Sequence, residues 1–147
     1  EIQSGKEVWS RQTNTEYGVV QNFFGVGTTP CVFKDKLIVM IGGSPAASQK
    51  LPDGQLDRVE ANDCGIVAFD KNTGQELYRV GNYLASYSAP VLAEISGRTW
   101  CFCLMREGLL GFNPHDGSQQ VFYPFRARIL ESVNAAWPVV VDNRILI

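Results

Sequence analysis

Apolar residues in this chain come in short runs, continuous or alternating with polar ones, and Gly, Pro, Asn and Asp separate the runs. Helical spacing is almost absent, and short runs between turn residues are the pattern of an all-β protein. Thr29–Phe33 and Leu37–Ile41 flank Lys34-Asp35, while Ile66–Asp70 and Glu76–Val80 flank a KNTG turn. Ala89–Ile95 and Thr99–Arg106 flank Ser96-Gly97-Arg98, and Leu109–Asn113 and Gln120–Phe125 flank PHDG. Pro138–Val141 and Arg144–Ile147 flank Asp142-Asn143. Each pair reads as an antiparallel hairpin, because those linkers carry the residues that tolerate tight reversals.

The hairpins fall into groups of four strands. One group covers residues 28–80, a second covers 88–125, and a third opens at 136 and runs through 147. A lone outer strand is expected at residues 6–10. The grouping rests on an internal repeat: GIVAFDKNTGQELY at 65–78 returns as GLLGFNPHDGSQQVF at 108–122, and GKEVW at 5–9 matches its tail. Gly65 and Gly108 are 43 positions apart, as are Gly74 and Gly117. A period of about 40–50 residues with four strands per unit marks a β-propeller blade. The expected architecture is therefore a β-propeller fragment of four-stranded antiparallel blades, two complete and two partial. The chain starts at Glu1 and stops within the apolar run RILI, so it reads as an excerpt of a longer protein. One departure breaks the repeat: residues 44–63, SPAASQKLPDGQLDRVEAND, stand where a short turn between second and third strands belongs. Loops of that length inside compact domains are usually functional or mobile.

The string AFDKNTGQELY resembles the repeat of pyrroloquinoline-quinone-type propellers, with Ala68, Phe69, Asp70, Thr73, Gly74, Gln75 and Tyr78 as the matching positions. The second copy matches more loosely through Gly111, Phe112, Asn113, Asp116, Gly117 and Phe122, with one extra residue before the aromatic. Gly5, Lys6 and Trp9 supply the tail of another copy. The resemblance implies a ring of seven or eight blades and a location in the periplasm or outside the cell. It also implies that Trp9, Tyr78 and Phe122 dock between neighbouring blades. The family includes quinoprotein dehydrogenases as well as cofactor-free propellers that bind or assemble other proteins.

Composition narrows the function classes. The net charge is −2, with acids and bases interspersed, so there is no basic stripe for nucleic acid. No apolar run reaches the ~18 residues of a membrane-spanning helix, and no signal peptide is recognised. Cys101 and Cys103 share a strand face, and with Cys31 and Cys64 they read as packed thiols, not as a metal framework. No nucleophile, phosphate-loop or zinc-protease motif is present. His115, the only histidine, falls in the PHDG turn and reads as a solvent-exposed turn residue.

Candidate chemistry gathers where small and hydroxyl residues lead into a Pro: Gly25–Pro30, Ser86–Pro90 and Ser132–Pro138. Tyr87, Ser88, Asn134 and Trp137 are placed to line a pocket there, or to build the turns between blades. Arg106, Arg126 and Arg128 suit carboxylate recognition by planar guanidinium groups, or are solvated or paired with Glu107 and Glu131. The leading expectation is a non-enzymatic binding or assembly propeller, completed by further blades or by a protein partner, with no catalytic or metal-binding residue. The alternative implied by the resemblance is a quinone-dependent alcohol or sugar dehydrogenase that binds pyrroloquinoline quinone and calcium, with Tyr87, Arg106 and Asn134 as the cofactor contacts. A third expectation is an interaction module using loop 44–63 as its contact surface.

Overall fold

A computed structural model describes residues 1–147. Ten strands form two four-stranded antiparallel sheets and one hairpin. The first sheet runs in chain order through β1 (Cys31–Phe33), β2 (Lys36–Met40), β3 (Ile66–Asp70) and β4 (Glu76–Val80). The second repeats that order with β5 (Val91–Ile95), β6 (Arg98–Leu104), β7 (Gly108–Phe112) and β8 (Gln119–Pro124). Strands β9 (Val139–Val141) and β10 (Arg144–Leu146) pair alone. Every hairpin read from the sequence is present, with ends shifted by one or two residues.

Sequence accounts for these ladders locally. The β1–β2, β5–β6 and β9–β10 reversals take two residues each, and each places Lys34, Ser96 or Asp142 at positive φ. Such turns match the right-handed twist of the strands they join. The wider turns after β3 and β7 are built alike. Gly74 N–H donates to Asp70 O at 2.8 Å, and Gly117 N–H donates to Asn113 O at 2.9 Å. The Asp70 carboxylate accepts the N–H groups of Asn72 and Thr73, and the Asn113 side chain accepts that of His115. Both ladders then carry a bulge at the same place, between Ala68 and Phe69 and between Gly111 and Phe112.

Both sheets are apolar on both faces, so each needs a layer on either side. Ile38, Met40, Ile66, Ala68 and Val80 of the first sheet meet Cys101, Cys103, Leu110 and Phe112 of the second in the main core. The other face of the first sheet buries Val67 and Phe69 under Tyr17 and Val19. The far face of the second buries Phe102, Leu104 and Leu109 against Val140, Ile145 and Ile147. Each fully buried Phe or Leu contributes roughly 1.5–3 kcal/mol. Sheet stacking therefore dominates the stability of the molecule. The cysteines are free thiols within this packing, and contact with Cys101 together with burial pushes the Cys31 thiol up.

Consecutive layers are pinned by an aromatic ring laid on a glycine turn. Trp9 sits on Gly74 and donates Nε1–H to Lys71 O at 3.0 Å. Tyr78 sits on Gly117 and donates its hydroxyl to Pro114 O at 2.8 Å. Gly74 and Gly117 lie at φ +73° and +78°, and a Cβ would come within 2.7 Å of the Trp9 ring at the first and 2.5 Å of the Tyr78 ring at the second.

One expectation is corrected and one is refined. Residues 6–10 form no strand: they have no ladder partner, and Trp9 anchors them across the turn of the first sheet instead. Phe122 does lie between the two sheets, as expected, but not at the position equivalent to Tyr78. Ala68 pairs with Tyr78, and its counterpart Gly111 pairs with Val121. Phe122 lies one residue further on, and one residue along a strand reverses the face. Its ring points back to the first sheet and stacks on Tyr83, with centroids 4.2 Å apart.

The sequence also shows no sign of a short helical turn, α1 (Thr13–Tyr17), which Gly18 ends in the left-handed conformation. Five residues are too few to show periodicity.

Candidate functional site

Antiparallel order sends alternate connections to opposite ends of the sheets. The short turns at 34–35, 71–75, 96–97 and 113–118 lie at one end of the sheets, where Tyr78 and Phe33 of one sheet meet Pro114 and His115 of the next. His115 is exposed there, its ring edge-on to Phe33 at 4.8 Å. The longest connections, and the three-residue turn at 105–107, lie at the opposite end. That end gathers residues 18–30, the insertion, 81–90, 105–107 and 125–138, and with them the polar residues singled out in the sequence.

The structure brings Tyr87, Arg106 and Asn134 together. Tyr87 N–H donates to Asn134 O at 2.9 Å. The Asn134 amide donates to the carbonyls of Met105, Arg106 and Phe125 at 2.9, 3.3 and 2.8 Å. Asn134 thus ties the β6–β7 turn to the connection after β8. The Tyr87 hydroxyl accepts Phe24 N–H at 3.1 Å, and the two rings lie 5.8 Å apart.

Arg106 is the largest of the fully buried side chains, 2% exposed. Its guanidinium reaches the insertion, donating to Leu56 O at 2.8 Å and to Asp57 Oδ1 at 3.0 Å, while Nε has no acceptor. Arg126 pairs with the same Asp57 oxygen and braces itself on Ser132, donating Nε–H to its carbonyl and hydroxyl at 3.0 and 3.1 Å. The second Asp57 oxygen accepts Glu131 N–H at 2.8 Å, and the Glu131 carboxylate accepts the N–H groups of Leu56 and Asp57 in return. The hydrogen bond from Arg126 holds the Asp57 carboxyl below its usual range. Burial, then the nearby Arg126 charge, pulls Arg106 below its ordinary value. Next to it, burial pushes the Glu107 carboxyl up, although both its oxygens accept Leu84 N–H.

Arg106 and Arg126 are therefore paired, but with a different acid from the two the sequence reading named. Asp57, 49 and 69 positions away, holds both Arg106 and Arg126, whereas Glu131 serves backbone N–H groups. Nothing local in DGQLDR marks Asp57, because its partners come from another sheet. Arg128 is exposed and forms no ion pair, and Trp137 faces outward. Ser88 is fully buried, with its hydroxyl unpaired.

The clamp holds the insertion as an ordered flap with two single-turn helices, Ser48–Lys50 and Leu56–Arg58. Together with Val20–Phe23 the flap walls a cleft of about 270 Å³, whose apolar sides are Val20, Phe23, Leu51, Pro52, Leu56 and Val59. Asn22, Asp53 and Gln55 add polar groups. Tyr87, Arg106 and Asn134 do not line it.

These contacts bear on the fit of a tricarboxylate quinone held with calcium. The Arg106 guanidinium is aimed at the insertion, the Asn134 amide is spent on three carbonyls, and no group of three or more His, Cys, Asp or Glu is placed to hold a metal ion. The three residues do not form an open set of donors for that cofactor in this arrangement. No helix is long and apolar enough to cross a membrane. No protein-family model matches the chain, and no curated protein sequence matches it significantly.

Proposed function

We propose that the chain is part of a β-propeller of the pyrroloquinoline-quinone-like repeat class that works as a binding or assembly platform outside the cytoplasm. The repeated in-to-out strand order, the matched turns and bulges, and the ring-on-glycine contacts of Trp9 and Tyr78 support the propeller reading. So do Val139, Val141 and Leu146, which remain exposed on the β9–β10 hairpin where a further layer would cover them. The compartment rests on the family resemblance alone.

The observation that carries the binding role is the flap-walled cleft at the connection end, with Phe23 in its wall and Phe24 next in the chain, both exposed. A concave surface that combines apolar walls with polar groups, as this one does, suits ligand and partner binding. Exposed aromatic anchors point to a protein partner. Replacing Phe23 and Phe24 by Ser in the intact protein should abolish cross-linking to that partner with little change in Tm, since both rings are largely in solvent. Retained cross-linking would refute the assignment of this face.

The dehydrogenase reading is separated by titrating the intact protein with pyrroloquinoline quinone and Ca²⁺, following cofactor absorbance and Tm. No shift at saturating cofactor is expected of a platform. A stoichiometric complex with raised Tm would put the enzyme first, because a ligand that binds only the folded state must stabilise it.

A further inference from the structure

The ion-pair cluster under the insertion does more than a structural clamp requires. Its components divide unequally between two parts of the chain. Arg106 comes from the β6–β7 turn, and Arg126 and Glu131 from the connection after β8, whereas the single carboxylate they share comes from the insertion of the other sheet. Three donors converge on that carboxylate: both guanidinium groups at Oδ1, and the backbone N–H of Glu131 at Oδ2. Glu131 adopts φ +61°, an uncommon conformation for a residue with a side chain, at the point where it makes this contact.

A second observation is independent of Asp57. Arg106 is 2% exposed, yet its Nε–H has no acceptor. A buried guanidinium with a donor left over is unusual, since buried polar groups are nearly always satisfied. The donor capacity collected here therefore exceeds what Asp57 takes up. The occupant is also lightly held by packing. Of the single-turn helix Leu56–Arg58 only Leu56 is buried, and segments with so little buried surface open at small cost.

We propose that Arg106, Arg126 and the Glu131 N–H form a receptor for a small carboxylate, which Asp57 fills in cis and a free carboxylate can fill in its place. The proposal goes beyond the platform reading and does not depend on it. Occupancy by an outside carboxylate would release the insertion and change the wall of the cleft.

The test removes the internal occupant and offers formate as the probe. Asp57→Ala and Asp57→Asn are made in the intact protein, and Tm is measured in sodium formate and in sodium chloride at equal ionic strength. Formate should raise Tm over chloride in Asp57→Ala, and the gain should vanish when Arg106→Met is added. Equal Tm in the two salts, or a gain that survives Arg106→Met, overturns the proposal. If Asp57→Ala does not fold, the same comparison is made on Asp57→Asn. If neither folds, trypsin cleavage after Lys50 and Arg58 in the unaltered protein is compared in the two salts. Faster cleavage in formate supports exchange at the receptor, and equal rates overturn it.

Discussion

Gly117→Ala tests the ring-on-glycine contact that joins the two sheets. At this position φ is +78°, and an added Cβ would lie 2.5 Å from Tyr78 Cδ2 and 2.9 Å from Cγ. Two costs are superimposed. A left-handed conformation costs an L-residue roughly 1–2 kcal/mol. Relieving the clash means moving the ring about 1 Å, to the ~3.5–4.0 Å at which carbon atoms rest. Tyr78 cannot drift freely, because its hydroxyl is hydrogen-bonded to Pro114 O on the same turn. Overpacking of this kind adds about 1–3 kcal/mol. Gly97→Ala isolates the first cost: φ is +73°, and nothing lies within 4 Å of the added methyl. Urea denaturation of both variants, at unchanged m-value, should show Gly117→Ala losing about 1–3 kcal/mol more than Gly97→Ala. In a Tyr78→Ala background that excess should vanish. Equal losses for the two substitutions would refute the reasoning, since the contact would then carry no packing constraint.

Two further expectations rest on the site and on Phe122. A double-mutant cycle of Tyr83→Leu and Phe122→Leu should give a coupling of about 0.5–1.5 kcal/mol, the range for stacked rings; zero coupling would contradict the stacked contact that holds Phe122 against the first sheet. The paired Asp57 carboxyl has its pKa depressed in the folded state, so its contribution is complete above the ordinary carboxylate range and is lost as pH falls through its own lower value. Thermal melts of the parent and of Asp57→Asn should therefore differ most near neutral pH and converge in acid, and a constant difference across that range would contradict the pairing.

The ladders were legible because strand pairing here is local. Each hairpin sits between turn residues, and a 43-residue repeat shows twice how four strands follow one another. The aromatic spacing misled only where one residue mattered. The extra position before Phe122 looks like a small slip in a motif, but in a strand it exchanges one face for the other. Residues 6–10 misled for a related reason: a matching tail identifies Trp9 as an anchor, and an anchor needs no ladder. The site was legible in part. The connections that lead into a Pro bring Tyr87 and Asn134 into contact, and Asn134 in turn reaches Arg106 in the β6–β7 turn. Their engagement with the protein itself was not visible, because it depends on Asp57 and on carbonyl groups that any residue carries. Side-chain pairing across 49 and 69 positions leaves no mark in a single sequence.

The most direct test of the propeller assignment is the experimental structure of the intact protein around these residues. Four-stranded sheets of this strand order should continue radially on both sides, with a layer over the exposed face of the β9–β10 hairpin. The Trp9–Gly74 and Tyr78–Gly117 contacts should be preserved within the ring. A structure in which the two sheets instead close on each other as an isolated sandwich, with no further sheet beside them, would contradict the account.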